Sequence, residues 1–309
     1  MVIFLYVLLA VFVIYFVLAL ILGYLCFQKI INSPHRRDYF DEKYLKKRYI
    51  DGNFEKMKEY NDNNEYIEVN VKSDDDLNLY GRLLLRDNKK FVILVHGFGS
   101  IANRLLEYCQ FYENLGFSVL LIDLRAHGKS EGNFIGMGVK DKDDVENFIT
   151  YLKTNYGTDI QIILHGFSMG AVTIMNVIKD NDPCIKFAVE DCGFTRSYIE
   201  MKYKIRKDMH IPATPMYEFA YMFNVMITHN HYHKVQPIHS VKETKIPLLI
   251  IHGDKDDFVP VKHAYKINDN CASYHELLIV EGAPHTMSYK YDKEDYEEYV
   301  KRFIKKFIK

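Results

Sequence analysis

The chain has 309 residues, of which 48% are hydrophobic and 26% are charged, and its formal net charge at pH 7 is −1. A nearly neutral chain lacks the basic surface that nucleic-acid binding requires, and this apolar content excludes an intrinsically disordered protein. The five cysteines are odd in number and show no CxxC spacing, so we expect free thiols.

The first 28 residues contain no charged side chain. As a helix they would extend about 40 Å, which is more than the ~30 Å hydrocarbon core of a membrane requires. A cleaved signal peptide and a core helix are the alternatives, but the stretch is long for either and no A-x-A site follows it. The sequence predicts a transmembrane anchor over residues 1–28, a juxtamembrane linker or helix over 29–64, and one large domain over 65–309. Because seven cations lie at positions 29–48 and no Lys or Arg precedes the stretch, we expect the large domain in the cytoplasm.

Eight short apolar runs rich in β-branched residues predict eight strands beyond the linker. They are Tyr66–Val71, Leu77–Leu85, Phe91–Val95, Ser118–Ile122, Ile160–Leu164, Lys186–Val189, Pro247–Ile251 and Glu276–Val280. From the third onward they alternate with segments of helical period. These segments are Ala102–Leu115, Val139–Asn155, Met169–Lys179, Val261–Asn270 and Tyr291–Ile308. This alternation indicates an α/β fold with a mostly parallel sheet, helices on both faces and ligands at the carboxyl ends of the strands.

The stretch QIILHGFSMG places Ser168 between Gly166 and Gly170, where the fifth strand gives way to a helix. A serine hydroxyl becomes a nucleophile when a tight turn holds it clear of the sheet, beside a base and at a helix N-terminus. Glycines two residues to either side remove the side chains that would collide in such a turn. The GxSxG spacing in this context predicts a nucleophile elbow.

Three further loops support a hydrolytic site at the same edge of the sheet. VHGFGS ends the third strand, so the backbone N–H groups of Phe98 and Met169 are candidates for an oxyanion hole. IHGDKDDFVP follows the seventh strand with acids, and EGAPHT follows the eighth with a histidine. The order Ser, Asp, His is the one found in α/β hydrolases.

From about Tyr66 to its end the chain resembles the α/β-hydrolase superfamily, and within it serine hydrolases of the BEM46-like and acyl-aminoacyl-peptidase-like groups. The family pattern HGxxDxxVP puts the catalytic acid at Asp256, and the histidine after the last strand falls at His285. DLRAHGKSEG matches the family loop DxRGHGxSxG except that Ala126 stands in place of a glycine. The resemblance implies an eight-stranded α/β-hydrolase fold with a small helical cap, and a Ser168, His285, Asp256 triad that requires no metal or organic cofactor.

Several residues compete with these assignments. Asp254 and Asp257 flank Asp256, and His96, His127 and His252 lie in glycine-containing turns, where a structural role is the simpler interpretation. The stretch THNHYHK contains three further histidines at alternate positions, which on a strand would face one way and could bind zinc. They are His229, His231 and His233. No acid or cysteine completes that set, so we expect no metal site.

The connection between the sixth and seventh strands, about 194–241, is too long for a simple loop. It contains an apolar stripe of helical spacing within PMYEFAYMFNVM, which by the resemblance predicts a cap over the active site. The candidate substrate-contacting residues are Tyr217, Tyr221, Met222 and Phe223. The alternative is that the stripe packs on the sheet.

The sequence thus predicts a membrane-tethered serine hydrolase that cleaves an ester, thioester or amide, most simply a carboxylesterase or lipase-like enzyme with an apolar, lipid-like acyl substrate. Two alternatives remain. One is a non-catalytic or weakly catalytic binding protein on the same fold. The other is a peptidase or acyltransferase, which differs only in leaving group or acceptor.

Overall fold

The computed structural model describes residues 1–32, 53–210, 212–233 and 236–309, apart from the side chains of residues 208 and 209. Eight strands form one sheet in the order β1-β2-β4-β3-β5-β6-β7-β8. Their bounds are β1 Ile67–Lys72, β2 Asn78–Leu84, β3 Lys90–Val95, β4 Ser118–Ile122, β5 Gln161–Phe167, β6 Ile185–Asp191, β7 Leu248–Gly253 and β8 His275–Val280. The pairs β1/β2 and β2/β4 are antiparallel, and all the later pairs are parallel. The predicted eight-stranded, mostly parallel sheet is confirmed.

Helices cover both faces of this sheet. We number them α1 Val2–Ile30, α2 Asn53–Asp62, α3 Leu106–Asn114, α4 Lys140–Tyr156, α5 Met169–Val177, α6 Ser197–Met209, α7 Met216–Thr228, α8 Pro237–Glu243, α9 Lys262–Asn268, α10 Ser288–Tyr291 and α11 Lys293–Phe307. One apolar layer contains side chains of α4, α5 and α7, and the other contains side chains of α2, α3 and α11. Because both faces are covered, β3, β4 and β7 are buried along almost their whole length, as their continuous apolar runs predict.

The N-terminal helix α1 is long and apolar enough to cross a membrane. Most of its side chains are exposed, and only Ala19, Gly23 and Phe27 within the helix are buried. Just beyond the helix, Ile31 is also buried, and its carbonyl accepts a hydrogen bond from the Ile135 N–H at 2.9 Å. The helix therefore leaves about its first half exposed and attaches to the rest of the protein through its second half, from Phe16 onward.

The structure adds detail to two regions of the predicted organisation. The predicted linker over 29–64 contains α2 at its end, while residues 33–52, which hold six of the seven cations, lie outside the described residues. The long connection between β6 and β7 contains three helices, α6, α7 and α8. They lie beyond the carboxyl end of β6, at the edge of the sheet where the Ser168 loop also lies.

Candidate active site

Ser168 lies between β5 and α5 with φ 54° and ψ −114°, a left-handed conformation that side chains rarely adopt. The two glycines of the motif are required by close backbone contacts. A Cβ at Gly166 would overlap the carbonyl of Gly170, and a Cβ at Gly170 would overlap the carbonyl of Val95. The sequence predicted a crowded strand-turn-helix here, and the structure has one.

The loops after β7 and β8 bring an acid and a histidine to Ser168. His285 Nε2 lies 3.0 Å from Ser168 Oγ, and His285 Nδ1 lies 2.6 Å from Asp256 Oδ2. The ring of Phe258 stacks on that of His285 at a centroid distance of 4.8 Å. Three side chains separated by up to 117 positions thus form one hydrogen-bonded chain, in the arrangement of a base held between a nucleophile and an acid.

The carboxylate of Asp256 is buried and saturated with donors. Its Oδ1 accepts hydrogen bonds from the N–H groups of Phe258 at 2.9 Å and Val259 at 2.7 Å, and its Oδ2 faces His285. Burial alone would raise the pKa of Asp256, but hydrogen bonds from His252 and His285 outweigh it and hold that pKa well below its ordinary value. The acid is therefore ionised at neutral pH. The neighbouring carboxylates Asp254 and Asp257 do not contact His285; they bond to the Gly282 N–H and to Lys207.

His252 is a second histidine on the same acid. Its Nε2 lies 2.8 Å from the carbonyl oxygen of Val259 and 3.3 Å from Asp256 Oδ2, and its side chain is fully buried. Burial lowers the pKa of His252, but the hydrogen bond to Asp256 and the charge of Glu190 reverse that effect and raise it. From the sequence, His252 was expected to have only a structural role. The feature that could have indicated its contact with the acid is its position four residues before Asp256.

The turn after β3 lies against the elbow. A Cβ at Gly97 would lie 3.2 Å from Ser168 Cβ, so the loop that carries Phe98 runs beside the nucleophile. Met169 is the first residue of α5, a position whose N–H has no acceptor within the helix. His127 holds this loop, because its Nε2 accepts the N–H of Gly99 at 3.0 Å. Phe98 thus lines the same cavity as Ser168, and Met169 follows Ser168 directly; the use of their amides as an oxyanion hole stays a prediction.

The loop that departs from the family pattern supports the site without entering it. Ala126 has φ 60°, the conformation that favours glycine and costs other residues about 1 kcal/mol. Arg125 anchors the loop through ion pairs to Asp144 at 2.6 Å and Asp75 at 3.0 Å. The departure at Ala126 therefore changes local strain and leaves the fold of the loop intact.

A buried polar chain lies below the elbow. The Ser168 N–H donates to the carbonyl of Asp191 at 2.8 Å, and Asp191 Oδ2 accepts from Tyr296 Oη at 2.9 Å. Tyr296 Oη in turn lies 2.9 Å from His165 Nε2. Burial raises the pKa of Asp191 to about 7 and lowers that of His165 to about 3. The sequence offered no signal for this chain, because its members come from β5, β6 and α11.

Ser168 and His285 open into a cavity of about 450 Å³. Its walls are partly apolar, from Phe98, Leu105, Tyr108, Phe258 and Met287, and partly charged, from Arg104, Glu107 and Lys290. The volume is at the small end of ligand-binding clefts, so it fits a compact substrate group. Helix α6 borders this cavity, because Lys204 lies 3.9 Å from the Phe258 ring centroid and Lys207 contacts Asp257.

The α7 residues predicted to contact the substrate lie away from the Ser168 cavity in this structure, and their substrate role stays a prediction. None of the four candidate residues is among the described residues that line the Ser168 cavity. Tyr217 and Tyr221 line a second cavity of about 240 Å³, Met222 is exposed, and Phe223 packs on Tyr24 at a ring-centroid distance of 5.1 Å. Helix α1 covers part of the apolar stripe of α7, at Phe219 and Phe223, whereas Met222 and Met226 of the same stripe are exposed.

The candidate metal ligands divide into two groups. Tyr221 stacks on His233 at a ring-centroid distance of 3.8 Å, and His229 directly follows α7 as its C-cap with φ 54°. Within the described part of the chain, the residues close enough to share an ion are Cys192, Asp256 and His285, whose ligand atoms lie within 4.8 Å of one another. Two of these three already form the hydrogen-bonded chain to Ser168.

The fold and this site define an α/β hydrolase, and comparisons with known proteins agree. Residues 86–196 match the family model described as serine aminopeptidase, S33. The solved structure of the esterase Pf2001 from Pyrococcus furiosus covers 91% of this chain and 98% of its own length, with 25% identity and a TM-score of 0.65.

Curated relatives extend the match over most of the chain. The uncharacterised protein YqkD of Bacillus subtilis is 28% identical over 221 residues, which are 71% of this chain and 72% of YqkD. Protein bem46 of Schizosaccharomyces pombe is 24% identical over 68% of this chain and 67% of its own. The uncharacterised membrane protein YNL320W of Saccharomyces cerevisiae is 25% identical over 60% of this chain and 61% of its own. The chain has the α/β-hydrolase fold, is similar to α/β hydrolases and has BEM46 proteins among its relatives.

Proposed function

We propose that the protein is a serine hydrolase that cleaves a carboxylic ester, thioester or amide through an acyl-enzyme intermediate. The observation that carries the proposal is the hydrogen-bonded chain from Asp256 through His285 to Ser168, whose hydroxyl opens into a cavity. The esterase Pf2001 and the family match support the same class of chemistry.

The geometry is suited to the following steps. His285 Nε2 takes the Ser168 proton as Oγ attacks the carbonyl carbon, and the resulting oxyanion accepts hydrogen bonds from the N–H groups of Phe98 and Met169. The bond to the leaving group then breaks, and His285 returns the proton to that group. Water then attacks the carbonyl carbon of the acyl-enzyme while His285 takes a proton from it. The bond to Ser168 Oγ breaks, His285 returns the proton to Oγ, and the acid is released. Asp256 holds the His285 tautomer and stabilises the imidazolium.

The leaving group distinguishes two forms of this proposal. The partly apolar cavity favours an esterase that acts on a small acyl group, whereas the family description and the wall carboxylate Glu107 favour an aminopeptidase that binds a substrate ammonium. Burial raises the pKa of Glu107, which weakens it as an ammonium ligand at low pH. We therefore place the esterase first and the peptidase second.

We also propose that α1 anchors the protein in a membrane, with the hydrolase domain on the cytoplasmic side. The uncharged first 28 residues and the exposed apolar surface of α1 support the anchor, and the membrane protein YNL320W is a relative. The cations at 29–48 support the orientation.

The test uses the full chain in lipid nanodiscs, a fluorophosphonate probe, and p-nitrophenyl esters beside aminoacyl p-nitroanilides. The wild-type protein should react with the probe and hydrolyse at least one of the two substrates. Ser168→Ala should lose the reaction with the probe, and its rate of substrate hydrolysis should fall by at least ~10⁴-fold. Ser100→Ala is the matched control, since Ser100 lines the same cavity. Faster turnover of the anilides would favour the peptidase. A folded wild type that neither labels nor turns over either substrate would favour a binding protein.

A further inference from the structure

Helix α7 packs directly on the proposed membrane anchor. The closest approach is at Gly23, where a Cβ would lie 2.5 Å from Phe219 Cβ and 2.9 Å from the Met216 carbonyl oxygen. The ring of Phe16 meets that of Phe219 at a centroid distance of 5.0 Å. Ala19 and Gly23, four residues apart and both buried, form the small-xxx-small pattern that lets two helices approach closely within membranes.

The contact with Phe16 sets the depth of α7. A span of about 20 residues crosses the hydrocarbon core. Every 20-residue window that can be drawn within the uncharged residues 1–28 contains residues 9–20, and therefore contains Phe16. The partner ring of Phe219 consequently lies at the level of the membrane, at its hydrocarbon edge or within it.

The exposed face of α7 is apolar beyond the contact between Phe219 and Phe16. Beyond Glu218, its exposed side chains are Met222, Met226 and Ile227, which are 38%, 64% and 50% exposed. Glu218, near the start of the helix, is paired with Lys202 of α6 at 2.5 Å. Exposed apolar side chains that share one side of a helix mark an interaction or membrane surface, and a helix in a lipid interface presents such a face to the acyl chains.

We propose that α7 is an interfacial membrane helix, and that Met222, Met226 and Ile227 insert into the lipid bilayer beside α1. The inference rests on the proposed anchoring by α1 and is independent of the catalytic proposal. Because α6 is paired with α7 and borders the Ser168 cavity, the cavity would lie one helix away from the lipid surface. The domain would thus be fixed against the membrane by two elements, whereas an anchor with a loose tether would use one.

The chain contains no tryptophan, so single substitutions give unique fluorescent probes. We would reconstitute the full chain in vesicles of phosphatidylcholine with brominated acyl chains and measure quenching of Met226→Trp and Ile227→Trp. Phe12→Trp, on the exposed face of α1, reports the anchor itself. Tyr291→Trp, equally exposed but located in α10, is the matched water-facing control. A far-UV circular dichroism spectrum and a thermal unfolding midpoint that match those of the wild type would establish that each variant is folded.

We expect Met226→Trp and Ile227→Trp to be quenched at least about threefold more strongly than Tyr291→Trp and to approach Phe12→Trp. Quenching of Phe12→Trp alone would overturn the interfacial role of α7 and leave the anchor intact. Absence of quenching at Phe12→Trp would overturn the anchor, and this inference with it.

Discussion

The sharpest test of the site is the substitution Asp256→Asn, which keeps shape and removes charge. An amide at this position has one acceptor and one donor end. Its NH₂ group cannot face the backbone N–H groups of Phe258 and Val259, because all three groups are hydrogen-bond donors and would lie only 2.7–2.9 Å apart. The oxygen must therefore stay there, and the NH₂ group faces His285.

The consequence for catalysis follows from the tautomer. With a donor opposite Nδ1, His285 must present a lone pair at Nδ1 and its proton at Nε2, where it cannot accept the proton of Ser168. The expected loss is ~10⁴-fold in kcat, or about 5.5 kcal/mol of transition-state stabilisation. Two hydrogen bonds to a carboxylate, from His285 and His252, are also lost, so we expect the free energy of unfolding to fall by about 2 kcal/mol.

The assay is ester turnover with chemical denaturation on the same preparations, and Asp257→Asn is the matched control. The Asp257 side chain is 82% exposed and pairs with Lys207 in contact with solvent, so loss of this ion pair should change turnover by less than about fivefold. Retention of turnover within tenfold by Asp256→Asn, together with a large loss in Asp257→Asn or Asp254→Asn, would refute the assignment of the acid.

Three further predictions concern the elbow, the buried acids and the loop that carries Phe98. Gly170→Ala should lower the free energy of unfolding in denaturant titrations by about 3 kcal/mol, because its Cβ overlaps the Val95 carbonyl; a loss below about 1 kcal/mol would contradict the packing. Burial raises the pKa of Glu190 from 4.5 to about 7, so its contribution to stability is complete below about pH 4.5 and falls as pH rises to about 7, by at most about 3 kcal/mol. Glu190→Gln should flatten that decline, and an unchanged pH profile of unfolding would count against it. His127→Leu removes the acceptor of the Gly99 N–H and should lower kcat about tenfold with little change in KM, as steady-state kinetics would show; a change confined to KM would argue for a role in binding instead.

Much of the architecture was readable in the sequence because it is encoded locally. The β3 run is apolar throughout and became a strand buried on both faces, and GxSxG predicted the turn at Ser168 because only glycine avoids the backbone overlaps at Gly166 and Gly170. The family pattern placed Asp256 and His285 in loops that the parallel sheet brings to one edge. The spacing of the strands along the chain does not reveal their order in the sheet. It does predict that the carboxyl ends of the parallel strands lie at one edge.

Other features depend on which elements meet, and only the tertiary structure decided them. The stripe of α7 had the period of a buried helix, but periodicity cannot identify the partner, which for part of the stripe is α1 at Gly23. His252 became a partner of Asp256, and Tyr296 joined His165 below the elbow, through contacts between distant segments. The local sequence pattern determines which residues are stable only when buried or placed in a tight turn. Which residues they contact is determined by the packing of the whole chain.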